Sequence, residues 1–498
     1  MNQKIDFTSY KTILIFAAII RLIAAIFSPG YGMHDDHFLI VEASASWVDG
    51  FDYNNWLPWS PMSDGLPEGH SFTYVGLHYL YFALLKGIGI VDPKTLMLFS
   101  RLLQGAFSLL IVSYSIKITE KLGTKKNAII VGWILALLWV LPFLSVRNLV
   151  EITCIPFMLW GIWLTLKNEN SKRFLYAGLL LGMAVSFRYQ VGVFAVGMAA
   201  VYFFQKKYKD FALFSIGVLI TFILTQGVVD FIIWGKPFSE FLAYTLYNVT
   251  DGPGYIPNNN YFMYLLVLMG IFLAPLGLVL GVGFFKGWKK YIGLFIPVML
   301  FIIFHTIYPS KQERFILPVM PLFLIIGVMG YDMLRNKNFW EKTWRISLKA
   351  FWILNIPLLL FASFTYSKKS RVESMYYFYG KETEGIRILH EASPEGTSAS
   401  ILPKFYSGNW GLSAIPRTSK EQDLLVHPNY IYDYILFCGE QELEERIIEY
   451  KKIYPNMELV KICNPSFVDV FLRWLNPRNS NEYIEIWKTN AIKNQFDN

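Results

Sequence analysis

Apolar runs of about 20 residues recur along the chain and are separated by short polar turns. A run of this length can cross the hydrocarbon core of a bilayer as a helix. Arg21 interrupts the first run and no small-residue cleavage site follows it, so this run does not indicate a cleavable signal peptide. The pattern predicts about eleven transmembrane helices, at 11–28, 97–118, 127–145, 152–166, 174–189, 190–204, 211–232, 261–283, 291–308, 315–334 and 346–364.

Lysine and arginine concentrate in alternate turns between these runs. Basic residues favour the cytoplasmic side of a membrane. The N-terminus is therefore predicted to be cytoplasmic, and an odd number of spans places the C-terminal part on the opposite side, called the far side below. The basic turns hold Lys121, Lys125, Lys126, Lys167, Lys172, Arg173, Lys206, Lys207, Lys209, Lys286, Lys289, Lys290, Arg335, Lys337, Lys342 and Arg345.

Two regions lie outside this membrane pattern. The first far-side loop, 29–96, is long, and residues 38–47 within it are expected to form an amphipathic helix on the membrane surface. After residue 364 the chain becomes mixed and charged, with short apolar runs at 399–402, 430–437, 457–463 and 483–487 and a helical segment at 441–452. The expected organisation is a transmembrane module, 1–364, followed by a soluble far-side α/β domain, 365–498.

Composition supports a membrane protein over a soluble one. Hydrophobic residues make up 54% of the chain and charged residues only 16%, against about 25% charged in soluble domains. The net charge of +8 follows the membrane orientation, so no nucleic-acid partner is expected. Cys438 and Cys463 both lie on the predicted oxidising side, where a disulfide between them and two buried free thiols are the alternatives.

Polar residues on the far side offer two kinds of chemistry. Asp35 and Asp36 follow the first span, and either cap a surface helix or provide a general base at the membrane face. Four cations at far-side span ends either reach toward the lipid headgroups or hold an anionic phosphate. These cations are Arg147, Arg188, Lys311 and Arg314.

A metal site is not expected. His34, His37, His70 and His78 share the first far-side loop, but their spacing matches no compact histidine motif. Glycine motifs for nucleotides are also absent where they would count. No metal and no cofactor are therefore assigned.

Three far-side motifs resemble those of GT-C glycosyltransferases, specifically the Alg9-like and PIG-B-like mannosyltransferases that build GPI anchors and N-glycan precursors. The segment HDDHFLIVE at 34–42 is similar to the family's Pro-Asp-Glu-x-Phe-Gln-x-x-Glu pattern, and RNLVE at 147–151 to its Asn-x-x-Glu segment after an arginine. The segment SKQERFILP at 310–318 looks like a degenerate form of its His-Lys-Glu-x-Arg-Phe motif. Arg188 stands where the family often has an arginine at a span end.

The resemblance implies a metal-independent, inverting hexosyl transfer on the far side, with mannose as first choice. Asp35 would be the general base and Asp36 would assist or orient it. The four far-side cations would bind the phosphate of a polyprenyl-phosphate sugar donor, and an apolar groove among the spans, open sideways to membrane lipid, would accept its polyprenyl tail. The acceptor would be a glycan or lipid-linked molecule, and the acceptor or sugar pocket would be lined by His34, His37, Glu42, Trp56 and Glu313. For Trp56, an anchor at the lipid headgroups is the alternative.

An independent argument supports this donor class. Nucleotide sugars are made in the cytosol and do not cross a bilayer unaided, whereas a lipid-anchored donor reaches the far side within the membrane. A transporter or lipid flippase is the main alternative, although no inverted repeat is visible. A membrane-anchored assembly protein is a third. The short loops favour a bacterial inner membrane over the endoplasmic reticulum.

Overall fold

The computed structural model describes residues 6–167, 170–255, 257–381, 386–391, 402–417, 432–477 and 482–490. The α-helices within these ranges are α1 (Tyr10–Phe27), α2 (His34–His37), α3 (Ala43–Val48), α4 (Phe72–Gly87), α5 (Pro93–Leu122), α6 (Lys125–Leu137), α7 (Leu141–Ser145), α8 (Val150–Leu166), α9 (Lys172–Phe187), α10 (Val191–Phe204), α11 (Tyr208–Phe222), α12 (Val228–Trp234), α13 (Ser239–Thr250), α14 (Met263–Ile271), α15 (Leu276–Lys286), α16 (Ile292–Ile307), α17 (Met320–Asp332), α18 (Asn338–Ser363), α19 (Lys369–Tyr376), α20 (Leu443–Ile453) and α21 (Phe467–Leu475).

Shorter helical turns and one sheet complete the described structure. Phe38–Glu42 and Ile223–Gly227 are π-helical turns, and Gly252–Gly254, Glu313–Val319 and Lys404–Ser407 are 3₁₀ turns. The strands are β1 (Arg387–Glu391), β2 (Ser413–Arg417), β3 (Tyr434–Cys438), β4 (Glu458–Cys463) and β5 (Ile484–Lys488). They form a sheet of order β2-β1-β3-β5-β4, in which β1 pairs in parallel with β2 and β3, and β5 pairs antiparallel with β3 and β4.

The chain divides into two compact units. The first unit consists of Met1–Ile26, Asn55–Leu77 and Ser100–Phe364. The second consists of Phe27–Asn54, His78–Phe99 and Thr365–Asn498. The second unit thus combines the C-terminal sheet with two segments of the region 29–96.

Within the described residues, five helical segments are long and apolar enough to cross a membrane, rather than the eleven predicted. A sixth exists if α14 and α15, bent by 119°, count as one broken span. All eleven predicted segments contain helix, but several are too short: α8 has 17 residues and α9 has 16. The five segments are Tyr10–Phe27, Pro93–Leu122, Tyr208–Trp234, Glu313–Asp332 and Asn338–Ser363.

Arg21 joins three helices of the first unit, although it interrupts an apolar run. The side chain is buried, and its Nε donates to Ser108 Oγ at 2.8 Å. Its Nη1 and Nη2 donate to the carbonyls of Ala136 and Leu135 at the end of α6, at 3.1 and 3.3 Å. Helix-end carbonyls have no intrahelical partner, so the guanidinium and the end of α6 satisfy each other.

A break in the predicted span 127–145 is stabilised by an asparagine from another helix. Helix α6 ends at Leu137, and Asn355 of α18 donates from Nδ2 to the Leu137 carbonyl at 2.7 Å. The Asn355 Oδ1 accepts the backbone N–H of Trp139 at 2.8 Å. Because unsatisfied backbone groups are costly inside a membrane, this amide allows the helix to end within the predicted run.

Strands β1, β3 and β5 of the sheet carry buried residues on both faces. Ile388, Leu436 and Ile486 belong to one hydrophobic core, which also includes Phe38 and Val41. Leu389, Ile435 and Phe437 point to the other face, where α20 contributes Tyr450. The expectation of a membrane-surface helix at 38–47 is therefore wrong, because its apolar side chains are used in this core.

The two cysteines of the sheet are free and buried. Cys438 on β3 and Cys463 on β4 are both register partners of Ile484, from opposite sides of β5. Strands lie about 4.8 Å apart, so the two Cα atoms are separated by about 10 Å, beyond the range of about 4.4–6.8 Å for a disulfide. This arrangement favours the free-thiol alternative.

Candidate active site

The acidic pair after the first span is split between two environments. Asp36 is buried, and its carboxylate accepts the backbone N–H groups of Gly32 at 3.2 Å and Met33 at 2.8 Å. Asp35 is half-buried and His34 is exposed, with its ring stacked on Phe38 at 4.6 Å between centroids. Asp36 thus fixes the turn that carries Asp35.

His37 and Glu42 form a buried link within the second unit. The His37 Nε2 lies 3.1 Å from Glu42 Oε1, and neither side chain is exposed. Both Glu42 oxygens accept the backbone N–H of Phe405 at 3.0 Å. The imidazole is stacked between Tyr31, at 4.6 Å, and Tyr406, at 5.5 Å. The structure therefore places His37 and Glu42 in packing that holds the 31–42 segment.

A cationic group centred on Glu151 lies in the first unit. Glu151 is in the first turn of α8, and Arg188 directly follows α9. The Arg188 Nη1 lies 2.5 Å from Glu151 Oε1, and the Arg314 Nε lies 3.7 Å from the same oxygen. All three side chains are more than nine-tenths buried. This group has two positive charges and one negative charge.

Two nitrogens of the Arg188 guanidinium lack a hydrogen-bond partner among the described residues. Its Nε and Nη2 are buried, and no described residue hydrogen-bonds to them. The same holds for Glu151 Oε2. Buried polar groups are almost always satisfied in native proteins, and an unmade bond to a charged group is expensive. An anion with several oxygen acceptors would satisfy the two nitrogens.

The other predicted cations are held individually. Lys311 is buried, and its Nζ donates to the Asn258 carbonyl at 2.5 Å. Its burial lowers the pKa of Lys311 from its ordinary value. Arg147 is buried with its guanidinium 4.4 Å from the centre of the Phe143 ring. Glu313 is exposed.

Trp56 is buried in the first unit. Its ring stacks on His70 at 4.1 Å, and it is therefore not exposed as a headgroup anchor would be. The chain near His70 is held by Glu240, whose Oε2 accepts the backbone N–H groups of Gly69 at 2.7 Å and His70 at 2.9 Å. Gly69 has a φ of +82°, and a Cβ there would lie 2.9 Å from the Tyr244 backbone nitrogen.

Glu240 is a buried carboxylate that forms no ion pair with any residue in the described ranges. Burial raises the pKa of Glu240 to about 7, and the backbone donors of His70 and Gly69 offset this only in part. Its own N–H donates to Asp230 Oδ2 at 2.9 Å. Glu240 therefore positions the segment that carries Trp56 and His70.

The structure brings two of the four predicted phosphate-binding cations together. Arg188 and Arg314 meet on Glu151, whereas Lys311 and Arg147 have other contacts. Sequence reasoning did not assign Glu151, although it ends the RNLVE motif, and it missed Glu240, for which no motif gave a signal. In the part of the chain that the structure describes, no three His, Cys, Asp or Glu side chains form a group suited to a metal ion.

Comparisons with known proteins agree with this architecture. Residues 12–391 match the model of the Alg9-like mannosyltransferase family, while no curated protein matches the sequence. ArnT from Cupriavidus metallidurans in the apo state aligns with a TM-score of 0.58 at 12% identity, covering 96% of this chain and 97% of that one. The same protein bound to undecaprenyl phosphate aligns with a TM-score of 0.55 at 12% identity and the same coverage.

An archaeal structure shows the same fold. The oligosaccharyltransferase AglB from Archaeoglobus fulgidus, in complex with an inhibitory peptide and a dolichol-phosphate, aligns with a TM-score of 0.50 at 10% identity. The match covers 86% of this chain and 69% of that one. The helical GT-C fold expected from the motifs, and the small C-terminal sheet domain expected from the change in composition after residue 364, are thereby confirmed.

Proposed function

Because the chain belongs to the Alg9-like mannosyltransferase family, we propose that it transfers a hexose, with mannose as first choice, from a polyprenyl-phosphate donor. The acceptor is a glycan or a lipid-linked molecule, and the anomeric configuration inverts. Family membership favours this transferase over the transporter or flippase alternative. The proposed transfer needs a phosphate site and a general base.

The observation that carries the proposal is the incompletely satisfied Arg188. Its Nε and Nη2 present two buried N–H donors, beside Arg314 and the carboxylate of Glu151. An arginine fork binds phosphate oxygens with paired, charge-assisted hydrogen bonds. The neighbour ArnT is described with undecaprenyl phosphate and AglB with a dolichol-phosphate, which supports a lipid phosphate here. Lys311 and Arg147 are proposed to add positive charge around the same phosphate.

The proposed reaction is a single displacement. The acceptor hydroxyl oxygen attacks the anomeric carbon opposite the phosphate, and Asp35 takes the hydroxyl proton. The bond from the anomeric carbon to the phosphate oxygen breaks, and the lipid phosphate leaves with the electron pair. Arg188 and Arg314 stabilise the charge that develops on it. Asp36, through its bonds to Gly32 and Met33, holds the turn of Asp35.

The remaining predicted residues take positioning and binding roles. His34 is exposed and Glu313 is exposed, so both are proposed to contact the acceptor or the sugar. His37 and Glu42 hold the 31–42 segment, and Trp56 supports His70. The proposed setting is a bacterial inner membrane, with the N-terminus cytoplasmic and the active site and residues 365–498 on the far side. Residues 1–364 form the proposed transmembrane module.

The test is sugar transfer by the full chain in lipid nanodiscs. Labelled mannosyl, glucosyl and galactosyl polyprenyl phosphates are supplied with lipid-linked glycan acceptors, and product linkage is read by mass spectrometry and NMR. Loss of a general base typically lowers kcat by about 10²–10⁴-fold, and this loss is expected for Asp35→Asn. The matched control is Glu68→Gln, an exposed carboxylate. Full activity in Asp35→Asn overturns the base assignment, and lipid movement without a glycosidic bond overturns the transferase.

A further inference from the structure

Two helices of the second unit expose very different side chains. Helix α20 buries Arg446 and Tyr450 and turns charged residues to solvent, namely Glu444, Glu445, Lys451 and Lys452. Helix α21 buries only Val468 of its nine residues. Its exposed apolar side chains, with the exposed fraction of each, are Phe467 (75%), Trp474 (73%), Leu475 (57%), Val470 (53%), Leu472 (45%) and Phe471 (36%).

Helix α21 is nevertheless a well-formed element. Ser466 caps it, since its Oγ accepts the Asp469 backbone N–H at 3.2 Å, while Asp469 Oδ2 accepts from Ser466 Oγ at 2.7 Å. The Phe467 and Phe471 rings stack at 6.3 Å, and the Phe471 and Trp474 rings at 5.8 Å. A cap of this kind stabilises a helix start by about 1 kcal/mol. The apolar side chains are therefore displayed on an ordered helix.

We propose that α21 inserts its apolar side chains into the headgroup region of the bilayer and anchors the second unit on the membrane surface. Interfacial helices carry Trp, Phe and Leu on the lipid side and basic residues that meet the lipid phosphates. Helix α21 has this composition, with Arg473 beside Trp474. The proposal is independent of the proposed sugar transfer.

The chain also keeps this unit close to a bilayer. Candidate span α18 ends at Ser363, and α19 begins at Lys369. The five residues between them reach at most about 17 Å. Helix α19 therefore begins within that distance of the end of candidate span α18. This short connection raises the effective concentration of the lipid surface around an interfacial helix of the second unit.

The size of α21 argues against a second copy of the chain as its partner. Nine residues form a helix about 13 Å long and about 10 Å wide with its side chains. A stable protein interface buries about 800 Å² on each partner, which is far more than one face of such a helix provides. Insertion into lipid has no such minimum area, because each side chain is transferred independently.

The experiment places a spin label on the full chain in nanodiscs, with Trp474→Cys and Leu475→Cys as alternative sites. The three native cysteines are buried and are left in place. Accessibility to oxygen, which enters lipid, is compared with accessibility to a water-soluble nickel complex. The matched control is Glu449→Cys, exposed on α20.

The expected result is an oxygen-to-nickel accessibility ratio several-fold higher at both α21 sites than at Glu449. Transfer of the protein into detergent-free amphipol should lower the α21 ratio toward the control. Equal ratios at the α21 and control sites overturn the proposal. Protection of the α21 labels from both reagents, increasing with the number of chains per disc, overturns it in favour of a second copy.

Discussion

Two buried carboxylates, one in each unit, are paired with cations in different ways. In the second unit, Glu482 receives hydrogen bonds on both oxygens, from Arg371 at 2.6 and 2.8 Å and from Lys368 at 2.8 Å. In the first unit, Glu151 receives Arg188 on one oxygen, while Arg188 Nε and Nη2 have no partner among the described residues. Both carboxylates are almost completely buried.

The Glu482 group has the contacts of an ion pair that stabilises the fold, whereas the Glu151–Arg188 group is suited to binding a ligand. Although burial raises it, the charges of Arg371 and Lys368 hold the pKa of Glu482 below its ordinary value. The bonds of Glu482 are complete, so this group has nothing further to bind. The Arg188 group retains donors and excess positive charge in a buried place, which is costly for stability alone and useful for holding an anion.

The largest expected effect is on stability, from Arg371→Ala. This change leaves Glu482 buried with only Lys368, and breaking a buried ion pair costs about 3–5 kcal/mol. We expect the free energy of unfolding to fall by that amount, measured by denaturant titration of the full chain in detergent. Lys452→Ala, at an exposed position of α20, is the control. An unchanged unfolding curve in Arg371→Ala would contradict the structural role.

Arg188→Lys should affect donor use more than stability. Lysine retains a charge beside Glu151 but loses the forked donors, and hydrogen bonds to charged groups contribute about 1.5–3 kcal/mol. The expected outcome is a fall of about 10- to 100-fold in kcat/KM for the lipid donor. The control is Lys236→Ala, an exposed cation. A loss of stability with unchanged kcat/KM would show that both ion groups serve the fold.

Acid should weaken the Glu482 group selectively. Because its folded-state pKa lies below the ordinary value of 4.5, its stabilisation is present above that value and is lost as pH falls through the folded pKa. The slope per proton is at most about 1.4 kcal/mol per pH unit. Unfolding midpoints of the wild type and Glu482→Gln should converge between pH 5 and pH 3. Parallel midpoints would contradict this assignment.

Glu240→Gln should have the smallest effect and the opposite pH dependence. The folded-state pKa of about 7 lies above the ordinary 4.5, so the stabilisation is complete below 4.5 and is lost as pH rises through 7. Glutamine keeps the oxygen that accepts from Gly69 and His70. We expect near-equal stability below pH 4.5 and a relative gain of the variant that increases by about 1 kcal/mol between pH 6 and pH 8. A variant less stable at pH 8 would show that the charge itself is required.

The local sequence pattern predicted the positions of the helices well, but it did not predict how the cations of the motifs pack together. The apolar runs at 11–28 and 346–364 correspond to α1 and α18, because a long apolar run directly indicates a helix that can cross a membrane. The runs 430–437, 457–463 and 483–487 overlap β3, β4 and β5, while most of the run 399–402 lies outside the described residues. The meeting of Arg188 and Arg314 on Glu151 depends on helix packing, which no local pattern contains.

Burial was the least predictable property of the long loop at 29–96. The resemblance predicts that His37 and Glu42 line the acceptor or sugar pocket, yet both side chains and Asp36 are buried within the second unit. The backbone N–H that donates to Glu42 belongs to Phe405, 363 positions further along the chain. The free state of Cys438 and Cys463 likewise follows from β5 lying between them, a strand order that spacing along the chain does not encode.

The bond from Glu42 to Phe405 also has a consequence for biogenesis. A ribosome adds about 5–20 residues per second, so the 363 residues between them take about 20–70 s to synthesise. Throughout that interval Glu42, which is buried in the finished protein, lacks the backbone N–H of Phe405 as a hydrogen-bond donor. Nascent chains stalled before position 405 should therefore be recognised by quality-control proteases at this early segment, whereas later stalls should be spared.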